Sequence, residues 1–143
     1  MAEVVKIAVA SLEGAQLDAA VARCEGYTPA IEGDEVWLYP SESTAMPETF
    51  SPFRTASGRR VICQQFQPSR CWDEGGPIIE RERITTEHEG SDVADEQGRT
   101  VWTAGRDDAF SLEHGWSFGP TPLIAAMRFF VRTKLGDEIE LPQ

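Results

Sequence analysis

Several features that assign proteins to a class are scarce or missing in this sequence. No apolar run among its 143 residues is long enough to span a bilayer, and the first residues lack the basic-then-apolar pattern of a signal peptide. We therefore expect a protein of the cytoplasm with no membrane partner. The three cysteines form no CxxC pair, which favours reduced thiols over a disulfide framework.

Basic residues are also scarce, because 13 Lys and Arg stand against 24 Asp and Glu, for a net charge of −11. Neutralising phosphates requires Lys and Arg, so this balance argues against a general nucleic-acid binder. Residues 51–85 are the exception, with 6 basic and 4 acidic side chains. They form the expected region for an anionic ligand, and a solvated surface of mixed charge is the ordinary alternative.

Histidine is rare, and His88 and His114 are the only two. His88 lies in an acidic stretch, but no spacing of metal ligands surrounds it, so we expect a solvated turn. No nucleophile–base pair is recognisable either. We therefore expect a non-enzymatic protein with no catalytic residue, metal or cofactor. Two alternatives are left open. One is a thiol nucleophile at Cys63 or Cys71 with His114, and the other is a pair of carboxylates, either Asp107 and Asp108 or Glu80 and Glu82.

The clearest pattern is a helix near the end of the sequence. Thr121 is placed to accept a hydrogen bond from a first-turn amide, and Pro122 suits the first helical position. Gly136 can take the left-handed conformation that closes a helix. One apolar stripe predicts the face that packs on a sheet, and it comprises Leu123, Ile124, Met127, Phe130, Val131 and Leu135.

Phe129 falls on roughly the opposite side of that helix. A bulky aromatic there indicates a second contact, which we expect from a partner subunit, although a lone exposed Phe is common. Closed two-fold dimers are the commonest assembly, so we predict a homodimer.

The remaining pattern predicts one α+β domain spanning residues 1–143. The sum of its elements is a small antiparallel β-sheet packed against two α-helices. The predicted helix that follows the first strand covers residues 11–24, and the predicted strands cover residues 4–10, 36–39, 60–66 and 78–84.

Loops separate these elements. Residues 40–58 are rich in Ser, Thr, Pro and Glu and predict a long loop, while residues 68–77 predict a turn-rich loop with two adjacent glycines. Residues 93–94 and 101–104 flank a polar tip and predict a hairpin.

Three blocks of the sequence resemble one family. Residues 12–22 read LEGAQLDAAVA, residues 72–82 read WDEGGPIIERE, and residues 119–137 read GPTPLIAAMRFFVRTKLGD. In this order they resemble the NinX-like proteins of tailed phages and prophages over about half of the chain. The resemblance implies a phage accessory protein made in the host bacterial cytoplasm, and it implies no catalytic residues.

The matched blocks and their surroundings contain groups suited to a nucleotide-like ligand. Glycines in a turn let the backbone approach a ligand, and a helix N-terminus favours an anion. Tryptophan faces can stack a base, and arginines can pair with phosphate. Core aromatics, surface ion pairs and turn glycines are the ordinary interpretation of the same residues. The predicted ligand-binding residues are Arg70, Trp72, Gly75, Gly76, Arg81, Trp102, Trp116 and Thr121.

These observations favour a non-enzymatic phage protein that captures a small phosphorylated, nucleotide-like molecule. The phage setting then suggests sequestration of a host immune signal. The alternative is an acidic inhibitor of a host protein, in the extreme a mimic of DNA, because the net charge is −11. A small nucleotide hydrolase is a third hypothesis, but it lacks a recognisable nucleophile–base pair or metal cluster.

Overall fold

The computed structural model describes residues 4–39, 51–54, 60–90 and 92–142, and within them the fold is α+β, as predicted. A short 3-10 turn, Val9–Ser11, follows the first strand. The helices are α1 (Gly14–Cys24), α2 (Trp72–Glu82), α3 (Ala109–His114) and α4 (Pro122–Leu135). The strands are β1 (Val4–Ala8), β2 (Thr28–Glu32), β3 (Glu35–Tyr39), β4 (Ser51–Arg54), β5 (Arg60–Gln65), β6 (Thr85–His88), β7 (Trp102–Gly105), β8 (Ser117–Gly119) and β9 (Glu138–Pro142).

The strands of the described part pair antiparallel in three small sheets. Their orders are β1-β9, β2-β3-β5-β4 and β6-β7-β8. In the first sheet Ala8 lies opposite Glu138 and Val4 opposite Pro142, so strands from the two ends of the described chain are neighbours.

Helix α4 is the centre of the core and contacts α1, α2 and the β6-β7-β8 sheet. The Thr121 hydroxyl accepts a hydrogen bond from the Ile124 amide at 3.1 Å, and Gly136 ends the helix with a φ of 92°. Both predicted helix signals are therefore confirmed. Along the predicted stripe, burial is complete or nearly so at Leu123, Met127, Phe130 and Val131, partial at Ile124, and weakest at Leu135.

Phe129 is fully buried within its own chain, which overturns the reason for expecting a partner subunit there. Its ring meets the Phe110 ring edge-on at a centroid distance of 5.6 Å, and the Arg106 guanidinium lies 5.3 Å from its centroid. Every residue from 125 to 131 is buried, so α4 is covered on all sides rather than on one stripe. The homodimer remains a prediction without this support.

Helix α2 occupies most of the segment for which the sequence predicts a turn-rich loop and then a strand. Residues 68–70 form a turn, as predicted, but both predictions are wrong over residues 72–82. Gly75 lies inside the helix rather than in a turn. A Cβ at Gly75 would clash with the Pro68 carbonyl oxygen and come within 2.6 Å of Leu123, so glycine lets α2 pack closely against α4 and the preceding segment. The helix ends at Arg83, whose φ of 55° is left-handed.

Other differences concern short elements. Residues 51–54, within the predicted long loop, form β4 and pair with β5; the rest of residues 40–58 lies outside the described residues. The polar tip has one bridge, between Ala94 and Thr100, but β7 pairs with β6 and β8 instead of continuing a hairpin. Elements of three to six residues carry too little periodic signal to predict, which explains the omission of β2, β6, β8 and α3.

Candidate ligand-binding site

A groove on the described surface has a volume of about 710 Å³, within the usual range of ligand pockets. It lies between the end of β1 with its 3-10 turn, the turn at residues 94–99, and β8. We call it the Phe118 groove, and its lining comprises Ala8, Ala10, Ser11, Glu13, residues 94–97, Arg99, Val101, Phe118 and Arg128.

Arg128 is a buried cation at this groove, with only 6% of its surface exposed. Its Nε donates to the Leu12 carbonyl oxygen at 2.9 Å, and its Nη1 donates to the Phe118 carbonyl oxygen at 2.8 Å. Burial lowers the pKa of the guanidinium, and the nearby Glu13 carboxylate opposes this effect. An arginine stays charged at neutral pH, so the groove has a fixed positive group.

Glu13 is the carboxylate that faces this cation. Its Oε1 lies 3.2 Å from Arg128 Nη2 and 2.8 Å from Arg99 Nη2, so one oxygen bridges two guanidinium groups. The hydrogen bond from Arg99 is the main cause that lowers the pKa of Glu13. Arg99 in turn donates from Nε to Asp95 Oδ2 at 2.8 Å, within the turn on the other side of the groove.

Phe118 gives the groove an exposed aromatic surface, because 58% of this residue is accessible. It lies on β8, opposite Thr103 of β7. Its carbonyl oxygen accepts from Arg128, which fixes the backbone at this point of the strand. An exposed ring can stack a planar ligand, as aromatic side chains stack bases in nucleic-acid-binding proteins, and Arg99 and Arg128 line the same groove.

A second groove of about 480 Å³ shares Phe118 and Arg128 with the first. It adds Trp116 and Arg132, and we call it the Trp116 groove. Arg132 donates to the Ser117 hydroxyl at 2.8 Å and to Asp137 Oδ1 at 2.9 Å. Trp116 packs so closely on Gly105 that a Cβ there would overlap the indole ring. One face of this tryptophan is therefore covered by its own chain.

Of the predicted ligand-binding residues, four lie just before α2 or in its first half. Arg70 Nε donates to Asp18 Oδ2 at 3.1 Å, so this arginine already has an acidic partner. Trp72 is 56% exposed at the start of the helix. Gly75 and Gly76 are helical, and the prediction that they form a ligand-approaching turn is wrong.

The other predicted residues are spread over the fold. Arg81 donates to Glu25 Oε2 at 2.9 Å and lines a third groove of about 520 Å³ with Arg83 and Arg106. Trp102 is half-buried with its ring against His88, 5.0 Å between centroids. Thr121 acts as the α4 cap. Only Trp116 among the eight lines either groove at Phe118.

The surroundings of His88, His114 and Cys24 do not indicate a catalytic role. The His88 Nδ1 accepts from the Gly90 amide at 3.2 Å, and the His114 ring lies 4.6 Å from that of Phe110. Burial raises the pKa of the Cys24 thiol to about 11, which disfavours a reactive thiolate. Within the described residues no group of three or more potential ligands could hold a metal ion.

The carboxylates considered for acid–base chemistry have other partners. Asp108 Oδ1 accepts from the Ser111 amide at 3.1 Å and caps α3, while its Oδ2 lies 2.9 Å from Arg106 Nε. Glu and Arg alternate over residues 80–83, which on a strand would place the acids on one face and the bases on the other, but residues 80–82 are helical.

Sequence reasoning missed the four residues that characterise the Phe118 groove. One signal was present, because Arg128 interrupts an otherwise apolar stretch of α4 and an arginine there needs partners. Glu13 gave no such signal, because the missing side-chain cap at the start of α1 is visible only in the structure. Nothing in the local sequence indicated that Arg99 and Phe118 would meet them.

Two comparisons with known proteins bear on identity. No curated protein sequence matches this chain. A family model described as bacteriophage P22 NinX matches residues 8–134, which include Glu13, Arg99, Phe118 and Arg128. No helix of the described residues is long and apolar enough to cross a bilayer. The match covers most of the chain, which therefore belongs to the bacteriophage P22 NinX family and is a phage accessory protein.

Proposed function

We propose that this phage protein is a non-enzymatic binder that captures a small phosphorylated, nucleotide-like molecule in the Phe118 groove. One observation carries the proposal: an exposed phenylalanine and two arginines line the same groove of about 710 Å³. A base can stack on Phe118, and guanidinium groups suit a phosphate. The groove therefore replaces the predicted residues of α2 as the binding site.

The lining of the groove supports binding rather than turnover. Its serine, Ser11, donates to the Ala8 carbonyl oxygen at 2.8 Å and has no histidine beside it in the lining. Glu13 is held as a carboxylate by two arginines, which makes it a poor general base. Capture without turnover would lower the free concentration of a host signal, so we propose an anti-defence role in the host cytoplasm.

The alternative function, an acidic inhibitor of a host protein, has the net charge of −11 in its favour. A mimic of DNA needs acids arrayed with their charges unpaired. Several described acids instead form ion pairs, among them Asp18 with Arg70, Glu25 with Arg81, and Asp137 with Arg132. The nucleotide proposal is therefore the better supported of the two.

A thermal-shift screen tests the proposal against linear nucleotides, ADP-ribose-type molecules and cyclic dinucleotides. A ligand at a hundred times its Kd should stabilise the fold by about 2.7 kcal/mol. Phe118→Ala should weaken binding by about 1–3 kcal/mol, the usual value of a stacked base. Leu112→Ala is the control, because Leu112 is 90% exposed and outside the groove.

Two results would overturn the proposal. One is no stabilisation by any nucleotide in the panel, which would favour a protein partner. The other is conversion of a bound nucleotide to product, detected by chromatography of the recovered ligand, which would make the protein an enzyme.

A further inference from the structure

Glu13 has an unusual position for its chemistry. It is the N-cap residue of α1, yet its side chain makes no capping hydrogen bond. A side chain at this position ordinarily accepts from a first-turn amide, and Asp, Asn, Ser or Thr does so best. The Glu13 carboxylate instead turns to Arg99 and Arg128, so this site holds an anion supplied by the protein itself.

The two arginines are held in place by contacts that do not involve Glu13. Arg128 is fixed by the carbonyl oxygens of Leu12 and Phe118. Arg99 is fixed by Asp95, whose Oδ1 also accepts from the Arg99 amide at 2.8 Å. Removing the Glu13 carboxylate would therefore leave a pair of oriented guanidinium groups, ready for another anion.

Glu13 itself is held less firmly. Its side chain is 40% exposed, whereas that of Arg128 is 8% exposed. Its described side-chain contacts are to the same two arginines through one oxygen. A phosphate offers three acceptor oxygens and more charge, so it can satisfy both guanidinium groups better than one carboxylate oxygen does.

We infer that a phosphate of the ligand displaces the Glu13 carboxylate and binds between Arg99 and Arg128, so that Glu13 is an internal competitor that sets the affinity of the Phe118 groove. The inference deepens the proposed function and rests on it only for the nucleotide part of the ligand. The phosphate position lies beside Phe118, whose backbone Arg128 holds, and the ring is then available to the base.

Inorganic pyrophosphate is the probe, because it tests the anion position without the base. Glu13→Gln keeps an oxygen that can accept from both arginines but removes the competing charge. We expect it to bind pyrophosphate about tenfold more tightly than the wild type, as measured by isothermal titration calorimetry. Glu96→Gln is the matched control, since Glu96 lines the same groove and has the same charge but no arginine partner among the described contacts.

A second variant tests whether a gain in affinity comes from the anion site rather than from a change in folding. Arg99→Gln alters an arginine of the surface turn, and combined with Glu13→Gln it should abolish the gain in affinity. Circular dichroism and the Tm of each variant establish that it is folded. Equal affinities for the Gln variants at positions 13 and 96, or a gain that survives loss of Arg99, would overturn the inference.

The nucleotide panel separates this inference from the proposed function. Tight pyrophosphate binding by Glu13→Gln with no nucleotide binding by any variant would support the anion site and overturn nucleotide capture. Nucleotide binding of equal affinity in the wild type and Glu13→Gln would support capture and overturn the role of Glu13.

Discussion

At the scale of single residues, the two adjacent glycines of α2 have opposite surroundings. Gly75 is buried where a Cβ would clash with the Pro68 carbonyl oxygen, a backbone atom with little freedom to move. Gly76 has room for a Cβ, because the nearest atom to a Cβ at this position is Trp72 Cε3 at 3.9 Å. Neither glycine has a positive φ, so only packing distinguishes them.

We therefore predict that alanine has opposite effects at these neighbouring positions. Gly75→Ala should destabilise the fold by about 1–3 kcal/mol or more through overpacking. Gly76→Ala should stabilise it by up to about 1 kcal/mol, because alanine is the better helix former. Urea unfolding of both variants measures the difference, and a loss of similar size at both positions would contradict the close approach at Gly75.

Residue-scale prediction from sequence succeeded where the cause is local. Thr121, Pro122 and Gly136 act within one turn of the helix end, so their residue types suffice to predict α4. The prediction that Phe129 contacts a partner subunit lost its basis because the burial of this residue depends on residues 106–110, which pack on the face opposite the apolar stripe. Periodicity reports one buried face and cannot show that a second element covers the other.

At the scale of elements, two acids hold the segment between β5 and α2. Asp18 of α1 is fully buried, and its Oδ1 accepts from the Ser69 amide at 2.8 Å. Glu74 of α2 accepts from the Gln67 amide at 2.7 Å. Burial raises the pKa of both carboxyls, more than their hydrogen bonds lower it. The segment is therefore attached to both helices through titratable groups.

This attachment predicts a pH dependence that Asp18→Asn should change. Because its pKa is raised on folding, the Asp18 carboxyl favours the folded state at low pH and loses that contribution as pH rises from about 4 through the raised pKa. The free energy of unfolding of the wild type, relative to Asp18→Asn, should therefore fall over this range. Asn keeps an oxygen for the Ser69 amide and does not titrate.

Glu13→Gln supplies the control of opposite sign. The pKa of Glu13 is lowered on folding, so its contribution is present above the ordinary pKa and is lost as pH falls through the lowered one. Chemical denaturation of the three proteins at several pH values checks both directions. A difference between wild type and Asp18→Asn that does not change with pH would contradict the buried carboxyl.

Element-scale prediction from sequence failed most clearly at α2. Two glycines and Pro77 lower its intrinsic helix propensity, and the alternating charges of residues 80–83 mimic a strand. The helix exists because Ile78 and Ile84 are buried and because Gly75 admits close contact with Leu123. These contacts with α4 and the preceding segment are tertiary, so the sequence of the helix itself does not indicate them.

At the scale of the whole molecule, the burial of Phe129 indicates that this residue stabilises its own chain and does not form a subunit interface. Phe129→Ala should cost about 3–5 kcal/mol, the usual loss for a buried Phe. Phe118→Ala, at a residue that is 58% exposed, should cost far less. The loss for Phe129→Ala, measured by urea unfolding relative to the wild type, should not depend on protein concentration, because its own chain covers the ring. A concentration-dependent loss would restore Phe129 to a subunit interface.

The candidate site could not be predicted from sequence because distant parts of the chain form it. Its residues come from the start of α1, the 94–99 turn, β8 and α4, and no motif connects them. The predicted residues were chosen because they lie close together in sequence or share a type. In the structure Arg70 and Arg81 pair with acids, and Thr121 caps a helix. Residue types suggest the class of ligand that we propose, whereas the groove in which we propose that it binds is formed by tertiary packing.

The pairing of β1 with β9 has a consequence for synthesis on the ribosome. Ala8 is among the first residues of the fold to emerge, yet its partner, Glu138, is among the last. At ~5–20 residues per second, β1 waits on the order of ten seconds for its partner. Helix α1 waits almost as long for its contact with α4, whereas β2 and β3, which it also contacts, follow it directly. The β1-β9 pair can therefore form only after every other described element has been synthesised.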